Sequence, residues 1–308
     1  MKTAVITGPT GAVGIATVEA LASRGVNCFA VVRPDSDRKF RIKESEFVHR
    51  VECNLDDLDR LPELIQTKVD VFYHFAWAGT FGNTRNDVYL QNQNITYSLK
   101  AVDVAEKLGC ECFIGAGSQA EYGRFEGSLN EKVPTFPENG YGIAKLAAGQ
   151  LTRISCEQKG MRHIWTRILS IYGPFDGMRT MVMSTIEKLL DGEKPSCTAG
   201  EQLWDYLYAK DVGKAFYLLG EKGKHGKIYC LGSGEAHPLK EYILAIRDEA
   251  APGAEVGFGE IPYGEKQVMH LVADITDLKA DTGFEPDYTF AEGIKETVEW
   301  VRQSRGLK

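Results

Sequence analysis

The sequence predicts an α/β fold in which a doubly wound parallel sheet carries a smaller, interleaved α+β lobe. Short apolar segments alternate with segments of helical periodicity as far as Gly173, as in strands joined by helical crossovers. A glycine-rich turn separates the first apolar segment from the first helical one. After Gly173-Pro174 the alternation stops and turn residues become frequent, which indicates the start of the second lobe.

The spacing of apolar residues predicts the individual elements. Continuous or alternating apolar residues indicate strands, and apolar residues three or four positions apart indicate helices. The predicted strands are residues 3–7, 27–32, 48–53, 69–76, 111–115 and 163–168. The predicted helices are residues 13–23, 94–108 and 141–159.

The chain beyond Gly173 divides into loops and core elements. Glycine and proline are frequent in residues 192–200 and 251–264, which indicates loops. Residues 207–219 and 226–231 again have the apolar pattern of core elements. The predicted first domain is therefore residues 1–173 with residues 203–233 returning to it, and the predicted second lobe is residues 174–202 and 234–308.

Charge and composition limit the classes of partner. The 308 residues carry a formal net charge of −7, so bulk charge does not attract nucleic acid or an anionic membrane surface. No segment approaches the roughly 18 apolar residues of a membrane span, and the first residues lack the pattern of an export signal. The seven cysteines include no C-x-x-C spacing, which indicates reduced thiols. We expect a cytoplasmic protein without a metal, nucleic-acid or membrane partner.

The glycine-rich turn has the spacing T-G-x-x-G-x-x-G over residues 7–14. Gly8 allows a sharp turn, Gly11 lets the backbone approach a pyrophosphate, and Gly14 lets the next helix pack against the strand. The helix N-terminus then presents free N–H groups to the phosphates. This context predicts a Rossmann-type dinucleotide site formed by Gly8, Thr10, Gly11, Ala12, Val13 and Gly14.

The residue after the second strand bears on which dinucleotide binds. An acidic residue there binds the ribose 2′-hydroxyl of NAD, whereas a basic residue suits the 2′-phosphate of NADP. This chain has Arg33, with Arg38 and Lys39 nearby. The pattern favours NADP(H) as the cofactor and leaves NAD(H) open.

Tyr141 and Lys145 form a Y-x-x-x-K pair in the third predicted helix. Positions i and i+4 share one face of a helix, and an ammonium near a phenol lowers the pKa of the phenol. Tyr141 is therefore a candidate proton donor or acceptor for a carbonyl/alcohol pair. A solvated surface pair is the alternative, but the preceding strand and its Gly-Ala-Gly-Ser ending at residues 115–118 favour the catalytic interpretation.

In these motifs the chain resembles the extended short-chain dehydrogenase/reductase family, and the resemblance covers essentially the whole chain. Further segments match the family in order and spacing: residues 72–76, Asn94, Ser118 before Tyr122-Gly123, residues 172–174 and residues 204–212.

The resemblance implies roles for these residues. Tyr141 would be the acid/base, Ser118 would hydrogen-bond the substrate oxygen, and Asn94 would support a proton-relay water. Lys145 would lower the pKa of Tyr141 and bind the nicotinamide ribose. Further cofactor contacts would come from Asn54, Leu55, Ala76, Trp77 and Ala78.

The resemblance also bears on the reaction. Gln119 and Ala120 stand where 4,6-dehydratases of the family have an Asp-Glu pair, and neither can transfer a proton. A nucleotide-sugar 4-epimerase and a 4-keto-6-deoxyhexose reductase remain, and Arg33 favours the reductase. Residues 117–123 and 202–208 resemble reductases that make deoxysugars such as abequose and fucose on CDP or dTDP carriers. A non-catalytic dinucleotide sensor is the alternative from another class, although such proteins typically lose the catalytic tyrosine or lysine.

The substrate side departs from the family pattern. Ser170 stands where the family often has a diphosphate-binding Asn, and Trp204 stands where it often has Arg. A second Arg, expected near residues 263–265, is absent. The resemblance also suggests a homodimer packed through the second and third predicted helices. The remaining candidate substrate contacts are Arg179 and Lys266 for phosphates, and Thr80, Gln119 and Tyr122 for the sugar.

Overall fold

A computed structural model describes residues 1–307. This part of the chain contains strands β1 (Thr3–Thr7), β2 (Asn27–Val32), β3 (Val48–Glu52), β4 (Val71–His74), β5 (Cys112–Ser118), β6 (Ser128–Leu129), β7 (Arg162–Ile168), β8 (Ser170–Tyr172), β9 (Leu203–Trp204), β10 (Tyr206–Tyr208), β11 (Ile228–Leu231), β12 (His237–Pro238) and β13 (His270–Ala273). Its helices are α1 (Ala12–Ala22), α2 (Leu61–Leu64), α3 (Val88–Lys107), α4 (Gly140–Gln158), α5 (Met181–Leu190), α6 (Ala209–Lys222), α7 (Leu239–Ala250), α8 (Thr276–Thr282) and α9 (Phe290–Ser304).

The first lobe is built on a sheet of seven parallel strands in the order β3-β2-β1-β4-β5-β7-β11. Thr7, at the carboxyl end of β1, is level with Val31 of β2 and His74 of β4. Chain connections leave β1 in opposite directions across the sheet, and open α/β sheets bind ligands at such a reversal, outside the carboxyl ends of the strands. The predicted Rossmann-type α/β class is confirmed.

Helices cover both faces of this sheet. Helix α1 packs against α6 on one face, and α3 packs against α4 on the other. A Cβ atom at Gly213 would lie 2.2 Å from the carbonyl oxygen of Ala16, so this glycine lets α6 approach α1 closely. Within residues 1–307, the helices include none that is long and apolar enough to cross a membrane.

The second lobe has its own apolar core. Helices α5, α7 and α9 bury Val182, Ile186, Ile246 and Val298 together. Strand β10 pairs with β8, while β12, β9, β13 and β6 form another small sheet. The sequence pattern predicted loops in this region but did not predict these helices, because glycine and proline in the connections obscured their periodicity.

Helix α3 begins earlier than predicted. It starts at Val88, and the carboxylate of Asp87 caps it by accepting a hydrogen bond from the Leu90 amide at 3.1 Å, as N-terminal acidic residues commonly do. Asn94 therefore lies inside the helix and is buried. The prediction that Asn94 starts the helix is wrong, since the exposed residues before it lack an apolar pattern that would reveal the first turns.

Candidate active site

The glycine-rich turn joins β1 to α1 at the reversal point of the sheet. Gly8 has φ of +71°, and a Cβ atom on it would lie 2.6 Å from the amide nitrogen of Ala76. A Cβ atom on Gly14 would lie 2.3 Å from the carbonyl oxygen of Gly8, whereas a Cβ atom on Gly11 would meet no protein atom within 4 Å. Gly8 and Gly14 thus shape the turn, and Gly11 keeps its outer side open. No side chain caps α1, so its first N–H groups are available to an anion.

A cleft of about 670 Å³ lies along this turn. Its walls come from the carboxyl ends of neighbouring strands, as expected for a dinucleotide site. Arg33 and Arg38 line one end, so both predicted 2′-phosphate contacts face the same space. The other predicted cofactor residues that line it are Gly8, Thr10, Asn54, Leu55, Ala76, Trp77 and Ala78.

The residues present fit a dinucleotide. The glycine turn supplies a cradle that a side chain at Gly11 would fill, and the helix start supplies unpaired N–H donors. Ala12 and Val13 form the first turn of α1. Their contribution is therefore through backbone amides rather than side chains.

Tyr141 lies in the first turn of α4. The Asn139 side chain caps this helix by accepting from the Gly142 amide at 2.8 Å. A Cβ atom on Gly142 would lie 2.2 Å from the carbonyl oxygen of Ala120, so Gly142 lets α4 start directly against the end of β5. This contact brings Tyr141 next to Ser118. Burial raises the pKa of Tyr141, and the Ser118 hydroxyl partly opposes that effect by hydrogen bonding.

Lys145 is buried one turn further along α4, but its ammonium does not point at the phenol. It donates a hydrogen bond to the Ala116 carbonyl at 2.5 Å and lies 3.7 Å from the centre of the Trp77 ring. The centre of the Tyr141 ring is 5.8 Å away. Burial lowers the pKa of Lys145 to about 7, although the Glu121 carboxylate acts in the opposite direction. Burial raises the pKa of Tyr141, and the expectation that Lys145 lowers it toward neutrality stays a prediction.

Asn94 holds the segment that follows β4. Its side-chain oxygen accepts from the Ala78 amide at 3.0 Å, and its side-chain nitrogen donates to the Ala78 carbonyl at 2.9 Å. Gln91, one turn earlier, accepts from the Trp77 indole at 2.9 Å and donates to the Gly79 carbonyl at 2.8 Å. The two amides of α3 therefore fix the cofactor-lining residues. The proton-relay role of Asn94 stays a prediction.

A buried ion pair lies behind Ser118, and the sequence did not predict it. The Glu121 carboxylate accepts from the Arg167 guanidinium at 2.8 Å, from the Trp165 indole at 3.0 Å and from the Ser118 amide at 2.9 Å. A Cβ atom on Gly117 would lie 2.3 Å from the Glu121 oxygen. The available signal was the small residue inside β5, because a strand interior needs such a residue where another group approaches closely.

Tyr122 is not at the mouth of the site. It is 2% exposed, and its hydroxyl donates to the Asn130 carbonyl at 2.7 Å beside the Cys230 thiol. The ring lies against the Arg167 guanidinium, 4.4 Å from its carbon. The prediction that Tyr122 contacts the sugar is wrong, because the residue fills the core between β5 and β11.

The other substrate candidates are spread over both lobes. The Trp204 indole donates to the Ser170 hydroxyl at 2.7 Å, so the two residues that depart from the family pattern contact each other. Arg179 and Lys266 are exposed. Thr80 and Gln119 are half-buried in the first lobe. The structure thus brings Ser170 and Trp204 together but forms no polar cluster from all the candidates.

A dinucleotide turn at the reversal point of the sheet, beside a buried tyrosine–lysine pair, defines a class of enzymes that transfer hydride between a nicotinamide dinucleotide and a carbonyl or alcohol. Residues 4–232 match the model of the NAD dependent epimerase/dehydratase family, and the chain belongs to this family.

Relatives and solved structures are similar along nearly the whole chain. CDP-abequose synthase of Salmonella typhimurium is 23% identical over 303 residues, which cover 96% of each chain. UDP-glucose 4-epimerase of Thermotoga maritima has a TM-score of 0.87 at 23% identity, covering 98% of this chain and 99% of its own. dTDP-glucose 4,6-dehydratase of Bacillus anthracis, solved with NAD, has a TM-score of 0.84 at 18% identity, covering 99% and 98%. The solved structures establish the shared fold.

Proposed function

We propose that the protein is an NADP(H)-dependent oxidoreductase that reduces the keto group of a nucleoside-diphosphate 4-keto-6-deoxyhexose. The observation that carries the proposal is the position of Tyr141 beside Ser118, next to a dinucleotide cleft. Gln119 and Ala120 follow Ser118, so the site has no additional acid and base there for water elimination. The similarity to CDP-abequose synthase over 96% of the chain supports the same class of substrate.

In this proposal the chain binds and orients both reactants and moves one proton. A bound nicotinamide would supply the hydride. Tyr141 donates its phenolic proton to the oxygen of the reacting carbonyl, while Ser118 donates a hydrogen bond that stabilises the developing negative charge. Lys145 would hold the ribose hydroxyls of the cofactor, and Asn94 keeps the Ala78 backbone in place.

The preference for NADP(H) rests on Arg33 and Arg38. Both line the end of the cleft that follows β2 and β3, and a guanidinium can bind a phosphate through two parallel hydrogen bonds. Asp35 and Asp37 line the same end, and their carboxylates would repel a 2′-phosphate while accepting from a 2′-hydroxyl. NAD(H) is therefore the second candidate.

The second lobe is proposed to bind the nucleoside diphosphate. We divide the chain into residues 1–173 with 203–233, and residues 174–202 with 234–308. A cavity of about 190 Å³ between α5 and α7 is lined by Lys188, Cys197 and Gln202. The Ser170–Trp204 contact and the exposed Arg179 and Lys266 would set which carrier binds.

A homodimer is proposed to form through α3 and α4. Ile143, Leu151 and Ile154 of α4 are 55%, 43% and 43% exposed, and their spacing places them on one side of the helix. Helix α4 packs beside α3, so a second copy could cover both helices. Sedimentation equilibrium of the parent and of Leu151→Lys tests this: the parent should give twice the monomer mass, and the variant should shift toward the monomer.

The dinucleotide bound to the purified protein tests the reaction. Denaturation should release less than stoichiometric nicotinamide nucleotide, and the protein should bind NADPH more tightly than NADH. Incubation with CDP- or dTDP-linked 4-keto-6-deoxyhexoses should then oxidise NADPH. Stoichiometric release of a nicotinamide nucleotide, together with interconversion of 4-epimers without net NADPH use, would instead identify a 4-epimerase that retains its cofactor.

A further inference from the structure

Arg85 lies on the face of the Tyr141 ring. The carbon of its guanidinium is 4.4 Å from the centre of that ring. One of its nitrogens donates to the Thr80 carbonyl at 3.2 Å, and within residues 1–307 its other N–H groups make no hydrogen bond to the protein. The half-buried side chain therefore places an unpaired positive charge directly against the candidate proton donor.

The contacts around Arg85 fix its position. Arg85 belongs to the 3-10 helix Gly82–Asn86. The Asn86 side chain accepts from the amide of Gly140 at 2.9 Å, and a Cβ atom on Gly140 would lie 3.0 Å from the Arg85 carbonyl oxygen. Gln91 also donates to the Thr84 carbonyl at 3.0 Å. The segment is thus tied to the residue that precedes Tyr141, and the hydrogen bond to the Thr80 carbonyl holds the Arg85 guanidinium over the ring.

Lys145 and Glu121 are the other charged groups near Tyr141. The Lys145 ammonium is farther away, at 5.8 Å from the ring centre, and is occupied by the Ala116 carbonyl and the Trp77 ring. Glu121 is negative and raises the pKa of Tyr141, whereas Arg85 lowers it. Behind Lys145, burial lowers the pKa of His74 to about 3, so its ring is neutral.

We propose that Arg85 is a second cation, besides Lys145, that stabilises the Tyr141 phenolate, and that it acts as a positioning residue for the proton donor. A guanidinium keeps its charge in a partly buried place where an ammonium readily loses its own. A cation over an aromatic face attracts the ring electrons, and this attraction grows when the phenol becomes a phenolate. The inference rests on the proposed acid/base role of Tyr141.

The ionisation of Tyr141 tests the inference without any substrate. Protein labelled with ¹³C at the tyrosine Cζ atom would be titrated by NMR, and the Tyr141 signal would be assigned by its absence in Tyr141→Phe. In Arg85→Gln we expect the midpoint to rise by about one pH unit, which is about a tenfold loss of phenolate at a fixed pH. Arg85→Lys should recover only part of the parent behaviour, because an ammonium loses its charge more readily in this place. Arg247→Gln, which removes a guanidinium paired with Asp248 in the second lobe, should leave the midpoint unchanged.

The kinetic counterpart is a fall in kcat of about tenfold in Arg85→Gln, with little change in the KM for NADPH, rescued in part by Arg85→Lys. An unchanged midpoint in Arg85→Gln would overturn the inference, as would an equal shift in Arg247→Gln. A shifted midpoint in a protein that reduces no keto sugar would support the inference about Arg85 and count against the proposed reaction, so the two failures are separate.

Discussion

Two carboxyl groups, Glu121 in the first lobe and Asp176 in the second, are held in different ways. In the first lobe, Glu121 is fully buried but meets the Arg167 guanidinium and two N–H donors. In the second lobe, Asp176 meets only neutral donors, the Gly177 amide at 2.7 Å and the Thr180 hydroxyl at 2.9 Å. Burial raises the pKa of Asp176 to about 6. The charge of Glu121 is thus balanced by a guanidinium, whereas Asp176 has no cationic partner among these contacts.

The two carboxyl groups therefore differ in what they do: Glu121 holds a neighbouring residue in place, whereas Asp176 can change its charge. Glu121 accepts from the Ser118 amide while it is paired with Arg167, so it holds the end of β5 in one geometry. Asp176 follows Phe175, which within residues 1–307 is the one residue other than glycine with a positive φ, of 66°. Its carboxyl group can change charge at mildly acidic pH, close to the place where the chain enters the second lobe. We infer that the Glu121–Arg167 pair makes the first lobe rigid around Ser118, whereas the chain near Asp176 tolerates local change.

The largest expected effect concerns the rigid lobe. Tyr141→Phe removes the phenolic proton while keeping the ring between Arg85 and Trp77. Because general acid catalysis contributes about 10²- to 10⁴-fold, kcat should fall by that factor, with the Kd for NADPH changed less than threefold or so. Steady-state kinetics and fluorescence titration of NADPH measure the two quantities. Retained turnover would show that another group transfers the proton.

The first lobe was the more predictable one because its chemistry depends on local spacing. The glycine turn and the Y-x-x-x-K pair each lie within one segment, so the sequence predicted the strand–turn–helix unit and the helix that carries Tyr141 and Lys145 on one face. The direction of the Lys145 ammonium was not predictable, since it depends on the Ala116 carbonyl and the Trp77 ring from two other strands.

The site features that the sequence did not predict are contacts between segments far apart in the chain. Glu121 and Arg167 meet across β5 and β7, and Trp204 meets Ser170 across β9 and β8. No spacing rule links such pairs. Tyr122 was wrongly predicted to contact the sugar for the same reason, because its burial depends on β11 lying beside β7.

The next effect tests whether the buried pair gives the first lobe its rigidity. Glu121→Ala leaves the Arg167 charge buried without its partner, and breaking such a pair costs about 3 to 5 kcal/mol of unfolding free energy. Urea denaturation measures this cost. The double variant Glu121→Val with Arg167→Met should recover most of it, because apolar residues can replace a buried pair. Equal losses of unfolding free energy in the single and double variants would mean that packing, rather than charge, stabilises the region around Glu121 and Arg167.

A smaller effect separates binding from folding at the glycine turn. At Gly11 a Cβ atom meets no protein atom, so Gly11→Ala should keep the thermal stability of the free protein. The new methyl group would occupy the cradle, and a cost of about 2 kcal/mol corresponds to roughly a 30-fold weaker Kd for NADPH. Gly14→Ala is the matched control, because its Cβ atom would clash with the Gly8 carbonyl and lower stability directly. Unchanged NADPH affinity in Gly11→Ala would place the pyrophosphate elsewhere.

The smallest expected effect addresses the uncompensated carboxyl of the second lobe. Since the folded pKa of Asp176 is raised to about 6 from an ordinary value of 3.8, the native state binds more protons than the unfolded state between these values. Its stabilising contribution is therefore complete below pH 3.8 and is lost as the pH rises through 6. Asp176→Asn keeps an acceptor for the Gly177 amide or the Thr180 hydroxyl and should remove this loss. The unfolding free energy of the variant, relative to the parent, should thus rise by about 2 kcal/mol between pH 4 and pH 7. A difference that stays constant across this range would mean that Asp176 is already ionised in the native state at pH 4, and that both lobes hold their buried carboxylates equally well.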